Sequence, residues 1–356
     1  MRMKFIDYEN FIYLHPSLVC NFDCVYCGQH NNQRESLKEL EIVKIIQRLD
    51  KFKKTFLVSI CGGEPFLIPN LIDFVFELTK NHYVRIDTNL SLTENIRKFA
   101  SIINPNKVTE IVFSVHILER EKRQLDLQEL ISLAKELRGK GFKIIGNYVV
   151  YPPLINRLEK DMNFFNSQGI KVLPILFVGT YNGRQYPLHK GIPSYSKAEI
   201  ELIARFNPYS TIPLYSPRND FCQAGCSIFC VNDRFEVFPC LTMQKCKESK
   251  LGDFFGKWKI FPKVIRCPKD YCTDQYNKTF VCSLDRFNMS YLQLKAISEK
   301  GICSPLQSFI YLRQHWGKKL LRKAKMAIQF LLYKISPKEK VDKIVYNLES
   351  KIRKII

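Results

Sequence analysis

Between residues 11 and 179 the hydrophobic pattern alternates between two periods, and this alternation restricts the fold more than any other feature of the chain. Short apolar, β-branched stretches lie at Phe11–Val19, Thr55–Ile60, Tyr83–Asp87, Thr109–Val115, Lys143–Val150 and Lys171–Val178. Between them run segments whose apolar residues recur near every 3.6 positions: Leu37–Leu49, Leu71–Leu78, Leu92–Ile102, Leu125–Leu137 and Leu154–Phe165. Strands separated by helices predict an α/β fold, a parallel sheet with helices packed outside it. Right-handed crossovers curl such a sheet toward a TIM-like barrel, and six strands fall short of the eight that close one. Ser36 with Glu39 reads as a capping box for the first helix, and Ser196 with Glu199 for a further helix at Lys197–Phe206.

The 356 residues are 46% hydrophobic and 25% charged, which excludes a mainly disordered chain. No run of 18 apolar residues is present, so no spanning helix is expected. Met1–Asn10 carries Arg2 and Lys4 with no signal-type stretch behind them, which points to the cytoplasm. Two values depart from ordinary usage: a formal net charge of +21 and 13 cysteines. An odd, unevenly spaced set of cysteines without a secretion signal speaks for metal or cluster binding rather than a disulfide scaffold. Pro208 and Pro213 mark a change of composition, and residues 222–282 hold eight of the 13 cysteines. From Arg313 to Ile356 there are 13 Lys and Arg against three acids. The expected organisation is a barrel over 1–210, a small Cys-rich α+β module over 211–285 and a basic helical region over 286–356.

The run Cys20-Asn-Phe-Asp-Cys24-Val-Tyr-Cys27 follows the first strand, on the edge where barrel folds build their active sites. Three thiolates in eight residues suit three irons of a [4Fe–4S] cluster and leave the fourth iron open to a ligand. Zinc is the competing reading and needs a fourth local ligand, for which His15 and His30 are candidates.

This spacing, with Tyr26 before the last cysteine, resembles the defining motif of the radical S-adenosylmethionine (SAM) superfamily. Cys61-Gly62-Gly63-Glu64-Pro65, one βα unit later, resembles that family's Gly-Gly-Glu-Pro segment. The resemblance implies a partial (β/α)6 barrel of the radical SAM type. Cys20, Cys24 and Cys27 would hold the [4Fe–4S] cluster, Tyr26 would pack near adenine, and Gly62, Gly63, Glu64 and Pro65 would hold the methionine amino group. Glycines admit close backbone approach, and a carboxylate suits an ammonium. Asn89, Ser114, Asn147 and Val178, at or near the ends of later strands, match positions used for SAM ribose, carboxylate and adenine; the other reading is that they satisfy local backbone. His116 ends the fourth strand beside Ser114. The activity implied is reductive cleavage of SAM to methionine and a 5′-deoxyadenosyl radical, which takes a hydrogen atom from substrate. No side chain beyond the cluster ligands is assigned a catalytic role. A low-potential donor such as flavodoxin or ferredoxin is implied as electron partner.

The segment from Cys222 to Cys282 is similar to the SPASM and twitch extensions that follow such barrels and carry auxiliary clusters. Cys222 and Cys240 match the first cysteine pair across a hairpin, Leu251-Gly252-Asp253 matches a Leu-Gly-Asn-like turn, and Cys267 and Cys272 complete four ligands for an auxiliary [4Fe–4S] cluster. Relatives carry Asp-Gly in the hairpin turn where this chain has Asn232-Asp233-Arg234-Phe235. Asn and Asp tolerate positive φ, so a turn is still expected. Residues 241–282 contain no Cys-x-x-Cys pair, which favours the shorter, one-cluster twitch form and leaves Cys226, Cys230, Cys246 and Cys282 spare. Zinc at the same thiols is the alternative.

In the basic tail, Leu320–Ile335 and Val341–Ile355 read as two amphipathic helices. They suit either docking on protein or contact with an anionic membrane surface at the inner face. Nucleic acid is not expected, since no surface aromatics interleave the charges. Only 19 residues precede Cys20, too few for a leading peptide-binding domain. That favours oxidation of a small, sugar-like molecule, with a peptide-modifying enzyme as the alternative and a non-catalytic cluster or zinc protein as the other class.

Overall fold

The computed structural model describes residues 10–27, 37–189, 192–207, 210, 221–244, 246–262, 265–269 and 272. The chain divides into two compact units, 1–304 and 305–356, and every described residue falls in the first. Ser36, His30, Cys282 and both segments expected as tail helices lie outside the described residues.

The sixfold alternation folds as read. Strands β1 (Asn10–Ser17), β2 (Phe56–Gly62), β3 (Tyr83–Thr88), β4 (Val108–Ser114), β5 (Ile144–Val150) and β6 (Val172–Leu176) pair in parallel in sequence order. Helices α1 (Ile42–Asp50), α2 (Leu71–Asn81), α3 (Thr93–Ile102), α4 (Ile117–Lys122), α5 (Leu127–Gly139) and α6 (Leu158–Ser167) lie between them. Helix α2 shows why these segments pack outward: it buries Leu71, Phe74, Val75 and Leu78, one stripe at helical spacing. That stripe belongs to the same core as Ile60, Ile86, Ile111 and Phe113. Alternate strand residues face the other way. Register sets Ser59 beside Arg85, Arg85 beside Glu110, and Ser114 beside Asn147, so the inner face is polar. Arg85 satisfies part of it by donating to Ser59 Oγ at 2.9 Å and Asp87 Oδ2 at 3.1 Å.

After β6 come two short ladders, β7 (Gly179–Tyr181) with β8 (Arg184–Tyr186) and β9 (Leu188–His189) with β10 (Ile192–Pro193), and then α7 (Lys197–Phe206). The predicted Ser196–Glu199 capping box of α7 is present. Helix α1 starts at Ile42, with no side-chain cap at Glu41, five residues later than the apolar spacing suggested; Ser36 of its expected capping box is among the residues not described.

The Cys-rich segment contains β11 (Phe221–Cys222), β12 (Ile228–Val231), β13 (Glu236–Phe238), α8 (Leu241–Gln244), β14 (Gly252–Asp253) and β15 (Ile265–Arg266). The sheet is not interrupted at the expected division near residue 210. Strand β12 pairs in parallel with β1, from Phe11–Ile228 to Leu14–Val231, and β13 and β14 follow antiparallel. Among the described residues the sheet runs β14-β13-β12-β1-β2-β3-β4-β5-β6. Phe229, Val231, Val237 and Phe254 join the same core as the barrel. The turn between β12 and β13 forms, but the left-handed residue is Phe235, at φ 57°, rather than Asn232 or Asp233. Asn232 instead fixes it with Oδ1, which accepts from the Arg234 and Glu236 amides at 3.1 and 2.8 Å.

Candidate functional site

Strand β1 ends at Ser17, and the loop that leaves it carries Cys20, Cys24 and Cys27. The loop is laid on the glycines that end β2. Gly63 N donates to Ser17 O at 2.9 Å and Glu64 N to Val19 O at 2.8 Å. A Cβ on Gly63 would sit 1.9 Å from Val19 O, so only glycine permits this contact.

Glu64 is 2% exposed, and its carboxylate is already engaged. Oε1 accepts from Thr88 Oγ1 at 2.7 Å and Phe66 N at 3.2 Å, and Oε2 accepts from Asn89 N at 2.7 Å. The side chain thus ties β2 to the end of β3. Burial pushes its pKa up to about 6 against the pull of those donors.

Asn89 continues the link to the thiols. Its Nδ2 donates to Asn21 Oδ1 at 2.8 Å and reaches Cys20 Sγ at 3.9 Å, while its Oδ1 accepts from Ser91 N at 2.9 Å. The buried Arg120 donates to Asn89 O and, through Nε, to Val115 O at 3.0 Å. Cys20 Sγ also accepts from Phe22 N at 3.4 Å.

Cys24 is buried, Cys20 half-buried and Cys27 exposed, so the triad runs from the interior to the surface. Cys24 Sγ lies 3.2 Å from His116 Nδ1, and Tyr26 Oη lies 2.7 Å from the same nitrogen. Burial pushes the Cys24 thiol up to about 12, helped by the negative charges of Glu119, Cys27 and Cys20. Burial holds His116 down to about 4, with Arg120 adding to the effect. Tyr26 packs on Tyr151 (4.9 Å between centroids), His116 (5.9 Å) and Phe177 (6.4 Å), making an aromatic wall beside the loop. Ser114 and Asn147 are paired neighbours on β4 and β5, and Val178 lies two residues beyond β6.

The triad fits an iron–sulfur cube better than a single ion. N–H groups of Phe22 and Asn89 already point at Cys20 Sγ, and hydrogen bonds to sulfur tune cluster thiolates. Among the described residues no three His, Cys, Asp or Glu side chains are grouped to hold one metal ion. A cube spreads three thiolates over three irons, whereas zinc draws its ligands around one centre.

At the second constellation, the β11–β15 ladder pairs Cys222 with Ile265, two positions before Cys267. The Cys222 thiol is raised well above its ordinary value, first by burial and then by the charges of Cys240, Cys267 and Cys272, so all four expected thiols share one neighbourhood. Ala224 N donates to Cys222 Sγ at 3.4 Å. Leu251-Gly252-Asp253 forms a strand end rather than a free turn; a Cβ on Gly252 would meet Lys257 O at 2.3 Å. Of the spare cysteines, Cys230 is fully buried beside Gln244, Cys226 is half-buried, and Cys246 Sγ receives Lys269 Nζ at 2.9 Å.

Arg120, Tyr151 and Asn21 carry much of the site and were not singled out from the sequence. Only Tyr151 had a local signal, an aromatic followed by two prolines at a strand end.

The Radical SAM superfamily model matches residues 14–165. An uncharacterized protein of Methanocaldococcus jannaschii is 22% identical over 73% of this chain and 94% of its own length. A probable GTP 3′,8-cyclase of Metallosphaera sedula is 27% identical over 55% of this chain and 67% of its own. Streptococcus suis SuiB bound to S-adenosylmethionine has the same fold at 16% identity, with a TM-score of 0.52 over 70% of this chain. That match spans 64% of the SuiB chain, and SuiB bound to its precursor peptide SuiA matches over 63%. The stretch that matches the radical SAM superfamily, residues 14–165, is the one that carries the cysteine triad, the Gly62–Pro65 segment and strands β2 to β5.

Proposed function

We propose that this protein is a radical SAM enzyme that oxidises a small hydroxylated or sugar-like substrate with help from an auxiliary cluster. The observation that carries the first part is the continuous link from the Gly62–Pro65 segment through Glu64 and Asn89 to the Cys20 sulfur. Cys20, Cys24 and Cys27 hold a [4Fe–4S] cluster, and Cys222, Cys240, Cys267 and Cys272 hold a second. When bound, the first cluster and SAM supply reductive carbon–sulfur cleavage and hydrogen-atom abstraction. The chain's own work is positional. Tyr26, Tyr151 and Phe177 offer an apolar wall to adenine, and Asn89, Ser114, Asn147 and Val178 line the strand ends where the rest of SAM would lie. The aromatic wall also keeps water from the reacting centre. Four protein thiolates at the second site leave no open iron, which suits an electron acceptor in an oxidation.

The named nucleotide of the Metallosphaera relative supports a small-molecule substrate. SuiB, with its bound precursor peptide, favours a second reading as a peptide-modifying enzyme. Iron and sulfide counting tests the two-cluster assignment: roughly eight irons in anaerobically reconstituted protein fall to roughly four when Cys20, Cys24 and Cys27 become Ala. Loss of all iron, or of none, overturns it. 5′-Deoxyadenosine formation dependent on envelope-type sugars supports the first reading; dependence on peptides alone supports the second.

A further inference from the structure

His116 occupies an uncommon place. It precedes α4 in the left-handed conformation, φ 47°, which glycine adopts at no cost and histidine does not. Its ring lies nearly parallel to Tyr26, with an interplanar angle of 19°, and edge-on to Phe22. One nitrogen, Nδ1, meets both Cys24 Sγ at 3.2 Å and Tyr26 Oη at 2.7 Å. That nitrogen either carries a hydrogen and donates or lacks one and accepts.

While Cys24 is a thiol, both arrangements can be satisfied, because S–H and O–H each have a proton to give. A metal-bound thiolate has only lone pairs. An accepting Nδ1 would then compete with the buried sulfur for the single Tyr26 O–H, and one of the two would lack a donor from this group. A donating Nδ1 serves the sulfur and leaves Tyr26 free to turn its own O–H toward it. This holds whether or not Nε2 is protonated. Resting on the cluster assignment above, we propose that His116 Nδ1–H is the hydrogen-bond donor to the Cys24 thiolate in the loaded protein. It makes His116 a positioning residue that sets the reduction potential of this one cluster. N–H···S bonds stabilise the more negative, reduced form, so the donor raises the potential.

The test uses full-length, reconstituted, SAM-free protein, with iron and sulfide counted first and each cluster's midpoint then followed by redox titration and electron paramagnetic resonance. His116→Gly removes the ring while accepting the positive φ, and so spares the fold. His116→Asn keeps a side-chain N–H and tolerates the same backbone. The expected result is a lower midpoint and altered signal for the Cys20/Cys24/Cys27 cluster in His116→Gly. His116→Asn should recover part of the shift, and the second cluster should stay unmoved. Loss of the triad's iron in His116→Gly with recovery in His116→Asn also supports the assignment. An unmoved midpoint in a fully loaded His116→Gly protein overturns it, as does a Tyr26→Phe variant that alone reproduces the whole shift, or iron lost equally from both His116 variants. A wild-type protein whose triad takes up no iron and sulfide overturns the cluster reading itself, and this inference with it.

Discussion

The main-chain amide of Asn89 donates to Glu64 Oε2 at 2.7 Å, and that bond ties the end of β3 to the Gly62–Pro65 turn. A carboxylate here serves three donors at once, which no neutral side chain of the same shape can do. Glu64→Gln turns one acceptor into an NH2 group and leaves Asn89 N–H or its neighbours facing a donor. A cost of about 1–3 kcal/mol follows, read as a lower urea midpoint at unchanged m-value.

Gly63→Ala acts on the loop rather than on the core. The new methyl would overlap the Leu18–Val19 main chain, 1.9 Å from Val19 O, and backbone atoms cannot swing aside as a side chain would. The cysteine loop must lift, so iron retained by the triad should fall several-fold while far-ultraviolet circular dichroism stays close to wild type. Full iron content in Gly63→Ala would show that the loop does not depend on this contact.

His15 on β1 is 8% exposed, and burial holds its pKa down to about 4 from the ordinary 6.5. Between those values the unfolded chain binds a proton that the folded one refuses, so stability rises with pH across the window. The contribution is complete above 6.5 and lost by about 4, up to about 3 kcal/mol in all. Denaturant titrations of metal-free protein at several pH values should show a shallower acid limb for His15→Leu than for wild type.

Tyr195 is 4% exposed, and its hydroxyl bridges two strand ends, donating to Val150 O at 2.7 Å and accepting from Phe177 N at 3.0 Å. Tyr195→Phe leaves both buried groups without this partner and costs about 1–3 kcal/mol. Since Phe177 stands beside Tyr26, amide hydrogen exchange should quicken at the ends of β5 and β6 before it does so in β2 or β3.

The six strands were legible because each is a local run of apolar, β-branched residues, and the cysteine triad because its spacing lies within eight positions. The helix start at Ile42 was not, since the apolar spacing that predicts a helix already begins at Leu37. Arg120 reaching Asn89 and His116 reaching Cys24 span 31 and 92 positions, and no periodicity records such contacts. Two left-handed residues escaped for a related reason: Phe235 and His116 stand where propensity would place Gly or Asn. Phe235 lies against Phe255, 4.7 Å between centroids, a contact that no neighbouring residue announces.

The parallel pairing of β12 with β1 sets a limit on how the molecule can be dissected. The strand that launches the thiol loop has neighbours on both sides, β2 and β12, and so sits inside the sheet. Severing the polypeptide near position 210 would turn it into a raw margin, with unpaired amides and carbonyls along Phe11–Leu14 open to any passing extended segment. A fragment that keeps β1 but stops near position 210 would thus be prone to stick to itself, and the smallest workable piece must run on through the hairpin that follows.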